Sequence, residues 1–406
     1  MKSKITMVAM AAAAAVSLTA CSGSGGGTAQ PTASDEPFVV AYVGGVTGSL
    51  ASTTATEIEA MKAGVEFLND NGGVNGHPVE LEVLDSKSDP TEAVTVLQQR
   101  LAKGDAPDLI KAGITSPEAL AILPVAARAG IASYTISNSP LIDDVDAYPL
   151  NRSVSAIATQ QVEVVWDYIQ AQDYQSISVL APENATGDAL VQSVESVFKG
   201  VEVTETRYAP AELDVTASYE RALQGSPDAV FTDCIGQLCA NILSARDAVP
   251  GAVDVPLLGT SPLSGSAGGP AAIASPSAIQ NLHMLVFDVQ YEKPEAEQTE
   301  AFQTFYSALL AADPDPTGVL APSTAWDGLM MFAHAADVAD SIDGADMIAA
   351  IDDIDWEPGF FATYGDVPVD FSDKSVYPTV PNNGFAMVQA SAQVKGLYPA
   401  VDLFVP

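Results

Sequence analysis

The fold is decided by a stretch near the start of the chain, Phe38-Val39-Val40-Ala41-Tyr42-Val43, and by the Gly44-Gly45-Val46-Thr47-Gly48 that follows it. Six consecutive apolar residues are typical of a strand in a parallel sheet, because helices cover both faces of such a sheet. Apolar residues then recur at the spacing of one helix face, at Ile58, Met61, Val65 and Leu68. The segment therefore predicts a buried strand, a tight glycine-rich turn and an amphipathic helix.

Strand and helix patterns alternate along the rest of the chain. A first series continues with strands predicted at 79–83, 109–112 and 131–136, separated by amphipathic helices. A second series starts near Ala156, with strands predicted at 177–180, 201–203, 229–231 and 255–258. Because repeated strand–helix units build parallel sheets, the pattern predicts an α/β protein of two lobes, each a doubly wound parallel sheet.

The composition excludes several classes of function. The 406 residues include 16 Lys and Arg against 52 Asp and Glu, which gives a formal net charge of −36. Nucleic acids and anionic membrane surfaces need clustered positive charge, so neither is an expected partner. Three Cys and three His are too few for a multi-ligand zinc or iron–sulfur centre, and we expect no metal and no cofactor.

The N-terminus has the features of an export signal. Lys2 and Lys4 precede an apolar run over 5–20 that is short for a membrane span, so residues 1–20 are predicted to be a secretory signal peptide. The run ends in Leu18-Thr19-Ala20-Cys21, which resembles the lipobox of bacterial lipoproteins, whose Cys carries the lipid after cleavage. An ordinary signal peptide with an incidental Cys is the alternative. Residues 21–37 are rich in Gly and Ser and predict a flexible tether.

The body of the chain lacks the usual catalytic signatures. We find no G-x-S-x-G, H-E-x-x-H or G-x-x-x-x-G-K-[ST] motif there, and the three His are far apart in sequence. The turn at 44–48 does not have dinucleotide-binding spacing, and we interpret it as a tight turn at a crevice, with Thr47 as a candidate ligand contact. The chain is therefore predicted not to be an enzyme.

The strongest sign of a binding site is Ile114-Thr115-Ser116-Pro117-Glu118, directly after a predicted strand. Pro favours the first helical position, so Ser116 is predicted to be the N-cap, with free backbone N–H groups beside it. A helix N-terminus at the carboxyl end of a parallel strand is where α/β sheets hold anions, although Ser116 could serve only as a cap. Ser137 and Ser139 follow the next strand and predict hydroxyl donors at the same edge, or a plain turn.

Several segments resemble the type I periplasmic-binding-protein family, and within it the branched-chain amino acid binding proteins of ABC transporters. The resemblance extends from Phe38 to Gln389 and is carried by residues 71–76, 81–85 and 88–94. It implies two lobes joined by three crossing strands near 150–153, 284–289 and 385–389, with the ligand clamped between them. The implied N-terminal lobe is 38–152 plus 286–383, and the implied C-terminal lobe is 153–285 plus 384–406.

The resemblance also implies residues for the ligand site. Ser116, Ser137 and Ser139 match positions that hold the ligand carboxylate and amine in the family. Other positions depart from it. Thr186 and Ile235 stand where the family has aromatic residues, Thr53 lies near its first-loop Tyr, and Ser261 lies near the acid that pairs with the ligand ammonium. Asp233, at a strand end, or Glu183 would have to replace that acid, and a solvated surface role is the alternative for Asp233.

The expected function is that of an ABC importer's substrate-binding protein. The resemblance implies capture of a small solute, a branched-chain or related amino acid, followed by delivery to permease subunits. The protein would be exported and attached to the outer face of the bacterial membrane only through its lipid. The alternatives are a sensory receptor of the same fold for a small amide or carboxylate, and an exported α/β hydrolase.

The body of the chain contains two cysteines, and they lie close together in sequence. Cys234 and Cys239 would follow a strand and begin a helix. Because an exported protein meets an oxidising compartment, we expect them to form a disulfide, with free buried thiols as the alternative.

Overall fold

The computed structural model describes Ser34 and residues 36–265, 274–373, 375–400 and 403–406. The predicted signal peptide at 1–20, the lipidation site at Cys21 and nearly all of the tether lie outside these residues, so those assignments remain predictions. Among the described residues, no helix combines the length and the apolar character that a membrane span requires.

The first sheet has five parallel strands in the spatial order β2-β1-β3-β4-β5. The strands are β1 (Phe38–Gly44), β2 (Val79–Asp85), β3 (Leu109–Ala112), β4 (Ala132–Thr135) and β5 (Asn151–Ser153). The connecting helices are α1 (Ala51–Asp70), α2 (Pro90–Leu101) and α3 (Ser116–Ala129). The apolar run at 38–43 forms β1, which is almost completely buried beside β2 and β3, as its composition predicts.

The second sheet has six strands in the order β11-β10-β9-β8-β6-β7. Its strands are β6 (Ser176–Pro182), β7 (Glu202–Tyr208), β8 (Ala229–Thr232), β9 (Leu257–Gly259), β10 (Leu282–Phe287) and β11 (Phe385–Gln389). Its helices are α4 (Ala158–Ala171), α5 (Ala185–Val197), α6 (Thr216–Ala222), α7 (Gln237–Ala248) and α8 (Ser261–Gly265). The expected α/β architecture of two sheets is confirmed.

Two details of the second sheet differ from the expectation. The strand predicted at 201–203 is β7 over Glu202–Tyr208, because this mostly exposed edge strand is largely polar and lacks the apolar run that marks a buried strand. The sheet is also not entirely parallel, since β11 runs antiparallel to β10. A parallel neighbour needs a crossover connection on the same sheet, whereas the chain between β10 and β11 packs on the first sheet instead.

That connection contains three helices, α9 (Glu300–Ala312), α10 (Leu320–Ala339) and α11 (Gly344–Asp353). Helices α9 and α10 pack on α1, and α11 packs on β4. The chain therefore passes between the sheets after β5, after β10 and before β11. This path agrees with three crossings, while the exact bounds of the two lobes remain a prediction.

Helix α10 lies against β4 at a glycine. A Cβ atom added to Gly328 would lie 2.2 Å from the ring of the buried Tyr134, whose hydroxyl donates to the carbonyl of Ala325 at 3.0 Å. Glycine at this position therefore allows α10 to approach β4 closely.

Replacing Gly328 with Ala should destabilise the protein. The ring of Tyr134 is fully buried and its hydroxyl is hydrogen-bonded to Ala325, so the ring resists displacement by the added methyl group. We expect this overpacking to outweigh the better helix propensity of Ala and to lower the free energy of unfolding by about 1–2 kcal/mol. Urea unfolding measures this loss. The control is Val338→Ala on the exposed side of the same helix, which should change stability by less than about 0.5 kcal/mol. Equal stability of the two variants would contradict the close packing.

Candidate ligand-binding site

The carboxyl ends of both sheets face a partly open cavity with about 70 Å³ of space for the centres of water molecules. We call it the inner cavity. The first sheet and its helices contribute Thr53, Ile114, Thr115, Ser116, Ile136, Ser137, Asn138 and Ser155. The second sheet and α10 contribute Thr186, Ile235, Ser261, Pro262, Gly265, Leu320, Ala321 and Thr324. Of these described lining residues, none is Asp, Glu, Lys, Arg or His.

Four long helices begin at the inner cavity. Thr53, Ser116 and Thr186 lie in the first turns of α1, α3 and α5, and Leu320 and Ala321 begin α10. Neither α1 nor α10 starts with a capping side chain. Thr115 caps α3 and Asn184 caps α5. The uncapped N–H groups of α1 and α10, together with the partial positive charge at all four helix ends, therefore favour an anion.

Hydroxyl groups supply the polar part of the lining. The hydroxyls of Ser116 and Ser137 share a hydrogen bond, with their Oγ atoms 2.9 Å apart. The Oγ1 atom of Thr53 is buried and has no hydrogen-bond partner among the described residues. A buried hydroxyl without a partner loses free energy that a bound ligand would restore, so Thr53 is a candidate ligand contact beside the two serines.

The predicted role of Ser116 as the N-cap is wrong by one residue. Thr115 has extended backbone angles and is the N-cap, and its Oγ1 accepts the N–H of Glu118 at 3.5 Å. Pro117 is then the second helical residue rather than the first, which moves the cap back by one position. As a result the Ser116 hydroxyl is not used for capping and faces the inner cavity.

Two of the hydroxyl residues predicted as ligand contacts, Thr47 and Ser139, lie outside the inner cavity. The hydroxyl of Thr47 donates to the carboxylate of Asp85 at 2.8 Å, which holds it over the end of β2. Ser139 is buried and caps the short helix Pro140–Ile142, because its Oγ accepts the N–H of Leu141 at 3.3 Å. In both residues the side chain that was predicted to contact the ligand makes a hydrogen bond within the first sheet or its loops instead.

Neither of the acids considered as partners for a ligand amine lines the inner cavity. Glu183 is exposed to solvent. Asp233 is buried, and its Oδ1 accepts the hydroxyl of Thr260 at 2.7 Å. Burial raises the pKa of Asp233 to about 6, although the hydrogen bond from Thr260 opposes the rise. Ser261 does line the inner cavity, and its hydroxyl donates to Gln161 at 2.7 Å.

A disulfide shapes the second-sheet wall of the cavity. Cys234 and Cys239 are joined, with their Cα atoms 5.1 Å apart. The loop between them carries Ile235, which packs against an apolar cluster on the opposite side of the cavity, formed by Leu50, Ile114 and Ala321. The cross-link thus fixes the loop that brings an apolar side chain across the cavity.

The residues that α10 contributes to the inner cavity were not predicted from the sequence. Leu320, Ala321 and Thr324 line the inner cavity, yet the helix begins after Val319 with no Ser, Thr, Asp or Asn cap to mark its start. Asn138 and Ser155 were also missed. Both follow strands of the first sheet, at the same edge as Ser137, so their position after β4 and β5 is the signal that could have identified them.

The chain resembles known proteins in sequence profile and in fold. The profile of the family described as periplasmic binding protein matches residues 37–374. One similar structure is the branched-chain amino acid transporter substrate-binding protein LivJ of Streptococcus pneumoniae with isoleucine (17% identity, TM-score 0.69, 91% of this chain and 100% of that chain). No curated protein matches the chain by sequence.

Two other solved structures have the same fold but different named ligands. One is a fatty acid ABC transporter substrate-binding protein of Thermomonospora curvata (15% identity, TM-score 0.74, 93% of this chain and 94% of that chain). The other is a solute-binding protein of an ABC transporter from R. palustris in complex with benzoate (16% identity, TM-score 0.74, 88% and 94%). At these identities the likeness concerns the fold alone.

The disulfide between Cys234 and Cys239 can be tested by alkylation. Alkylation of the denatured, unreduced protein should leave Cys234 and Cys239 unmodified, as mass spectrometry of their shared tryptic peptide would detect. Replacing both with Ala should lower the free energy of unfolding by about 2 kcal/mol, because a cross-link over a separation of 5 residues restricts the unfolded chain. Recovery of both cysteines in alkylated form would contradict the cross-link.

Proposed function

The chain belongs to the periplasmic binding protein family, and from that premise we propose that it captures a small carboxylate with an apolar body for an ABC importer. The observation that carries this proposal is the lining of the inner cavity, which combines helix N-termini, hydroxyls and apolar side chains without a charged side chain among its described residues. Export, a lipid anchor at Cys21 and delivery to permease subunits belong to the same proposal.

The polar groups of the inner cavity support a carboxylate. Ser116 and Ser137 hydrogen-bond to each other, so only one of the two hydroxyl protons is used between them and the other can be donated to a ligand oxygen. Thr53 can donate a second. With four helix N-termini around these hydroxyls, an anion would be stabilised by neutral donors and helix dipoles rather than by Lys or Arg.

The same lining gives little support to a ligand amine. A buried ammonium group needs a carboxylate partner, because an unpaired buried charge costs several kcal/mol. Asp233 does not line the inner cavity and already accepts a hydrogen bond from Thr260, and Glu183 is exposed. We therefore favour a carboxylate without an amine over the branched-chain amino acid suggested by the sequence resemblance.

The mechanism we propose is binding with closure and involves no bond chemistry. Both sheets contribute to the walls of the inner cavity, so a ligand that touches both walls binds the closed arrangement more tightly and shifts the population towards it. An exported hydrolase would need a nucleophile, a base and an orienting acid within reach of one another. The described lining offers hydroxyls but neither His nor a carboxylate, so it gives that alternative no support.

A pair of ligands tests the absence of an amine site. We expect 4-methylpentanoate to bind at least about 100-fold more tightly than leucine, which is the same carboxylate with an added ammonium that lacks a partner. Isothermal titration calorimetry of both ligands at neutral pH measures the ratio. Tighter binding of leucine, weakened when the pH falls through about 6 and lost in Asp233→Asn, would instead identify Asp233 as the amine partner.

A substitution at Ser116 tests the proposed carboxylate site. Replacing it with Ala removes a hydrogen bond to a charged group, so the affinity for 4-methylpentanoate should fall by about 10- to 150-fold. The matched control is Ser139→Ala, a buried serine outside the inner cavity, which should leave the affinity within about twofold while lowering stability slightly. Equal affinities of the two variants would remove Ser116 from the site.

A further inference from the structure

A second cavity adjoins the inner one. It has about 500 Å³ of space for the centres of water molecules and is partly open to solvent, and we call it the outer cavity. Its walls come from the loops after β1, β2 and β3 of the first sheet and after β6, β7 and β8 of the second. Thr115, Thr186 and Ile235 line both cavities, so the two cavities adjoin at these three residues.

The walls of the outer cavity are mainly apolar. They include Leu50, Pro90, Pro117, Pro210, Leu213 and Leu238. Leu213 is 80% exposed, and its removal from water by a bound apolar group would be favourable. The chain has 52 acidic residues, yet Glu118 is the one charged residue among the described residues that line this cavity. Its carboxylate is buried and accepts the Ser86 hydroxyl at 2.6 Å.

We propose that the outer cavity binds the apolar tail of an elongated monocarboxylate whose carboxylate group is held in the inner cavity. This inference rests on the proposed function and specifies its substrate class. Because the two cavities adjoin, one elongated ligand would reach from the inner cavity past Thr115, Thr186 and Ile235 into the outer cavity, and the apolar walls fit methylene groups rather than a second charged group. The tail covers Leu213 and Leu238 when it is bound.

The test is the dependence of affinity on chain length. Butanoate, hexanoate, octanoate and decanoate are titrated into the full-length protein by calorimetry. Once the chain is long enough to reach the outer cavity, each added CH₂ group should tighten binding by about fourfold. Leu213→Ser and Leu238→Ser should weaken the binding of decanoate and leave that of butanoate unchanged. Val338→Ser, at another exposed apolar position that lines neither cavity, should affect neither ligand.

The outcomes separate this inference from the proposed function. If short carboxylates bind and the affinity does not rise with chain length, the tail site is wrong while the carboxylate site stands. A rise that Leu213→Ser and Leu238→Ser leave intact would also overturn it, because the tail would then lie elsewhere. If none of the carboxylates binds, the proposed function itself fails.

Discussion

A fully buried ion pair fixes the part of the molecule on which the inner cavity depends. The Nζ of Lys111 on β3 lies 2.7 Å from Oε2 of Glu57 on α1 and 2.7 Å from the carbonyl of Gly113. The hydroxyl of Tyr42 also donates to Glu57. Burial lowers the pKa of Lys111 and raises that of Glu57, and their attraction opposes both changes. Since separating such a pair would leave an uncompensated buried charge, α1 and the loop into α3 are held together, with both of their first turns at the cavity.

The opposite wall meets the first sheet in a different way. Ile235 packs on apolar side chains across the cavity, and a Cβ at Gly236, whose φ is +57°, would lie 3.2 Å from the carbonyl oxygen of Ser49. The contact across the cavity is thus made by a cross-linked loop with an apolar side chain and a glycine. Apolar contacts can separate without leaving a buried charge unpaired. Separation of Lys111 from Glu57 would leave two such charges. This ion pair lies within one side of the cavity and the apolar contact of Ile235 lies across it, an arrangement that is compatible with closure around a ligand.

Much of the fold could be predicted because buried parallel strands leave a local pattern. The run at 38–43 needs only its own sequence to be recognised, and Ser116, Ser137, Thr186 and Ser261 reach the inner cavity because they follow strands at the carboxyl edge of a sheet. The direction of a side chain, by contrast, depends on hydrogen-bond partners that the pattern of the neighbouring sequence does not reveal. Thr47 turns to Asp85, which lies on a neighbouring strand, and Ser139 turns to its own short helix. The place of α10 depends on the approach of Gly328 to Tyr134, which no pattern near Leu320 reveals.

The net charge of −36 constrains how such a protein can bind an anion. The long-range field of an acidic chain repels a carboxylate, but at physiological ionic strength it is screened beyond about 8 Å. Helix N-termini and hydroxyls act through hydrogen bonds about 3 Å long, which is shorter than this screening distance. Binding through local dipoles is therefore compatible with an acidic surface, and the absence of charged side chains from the described lining leaves those dipoles unopposed. The same absence removes any fixed partner for a ligand amine, so one feature of the lining favours the carboxylate and disfavours the ammonium.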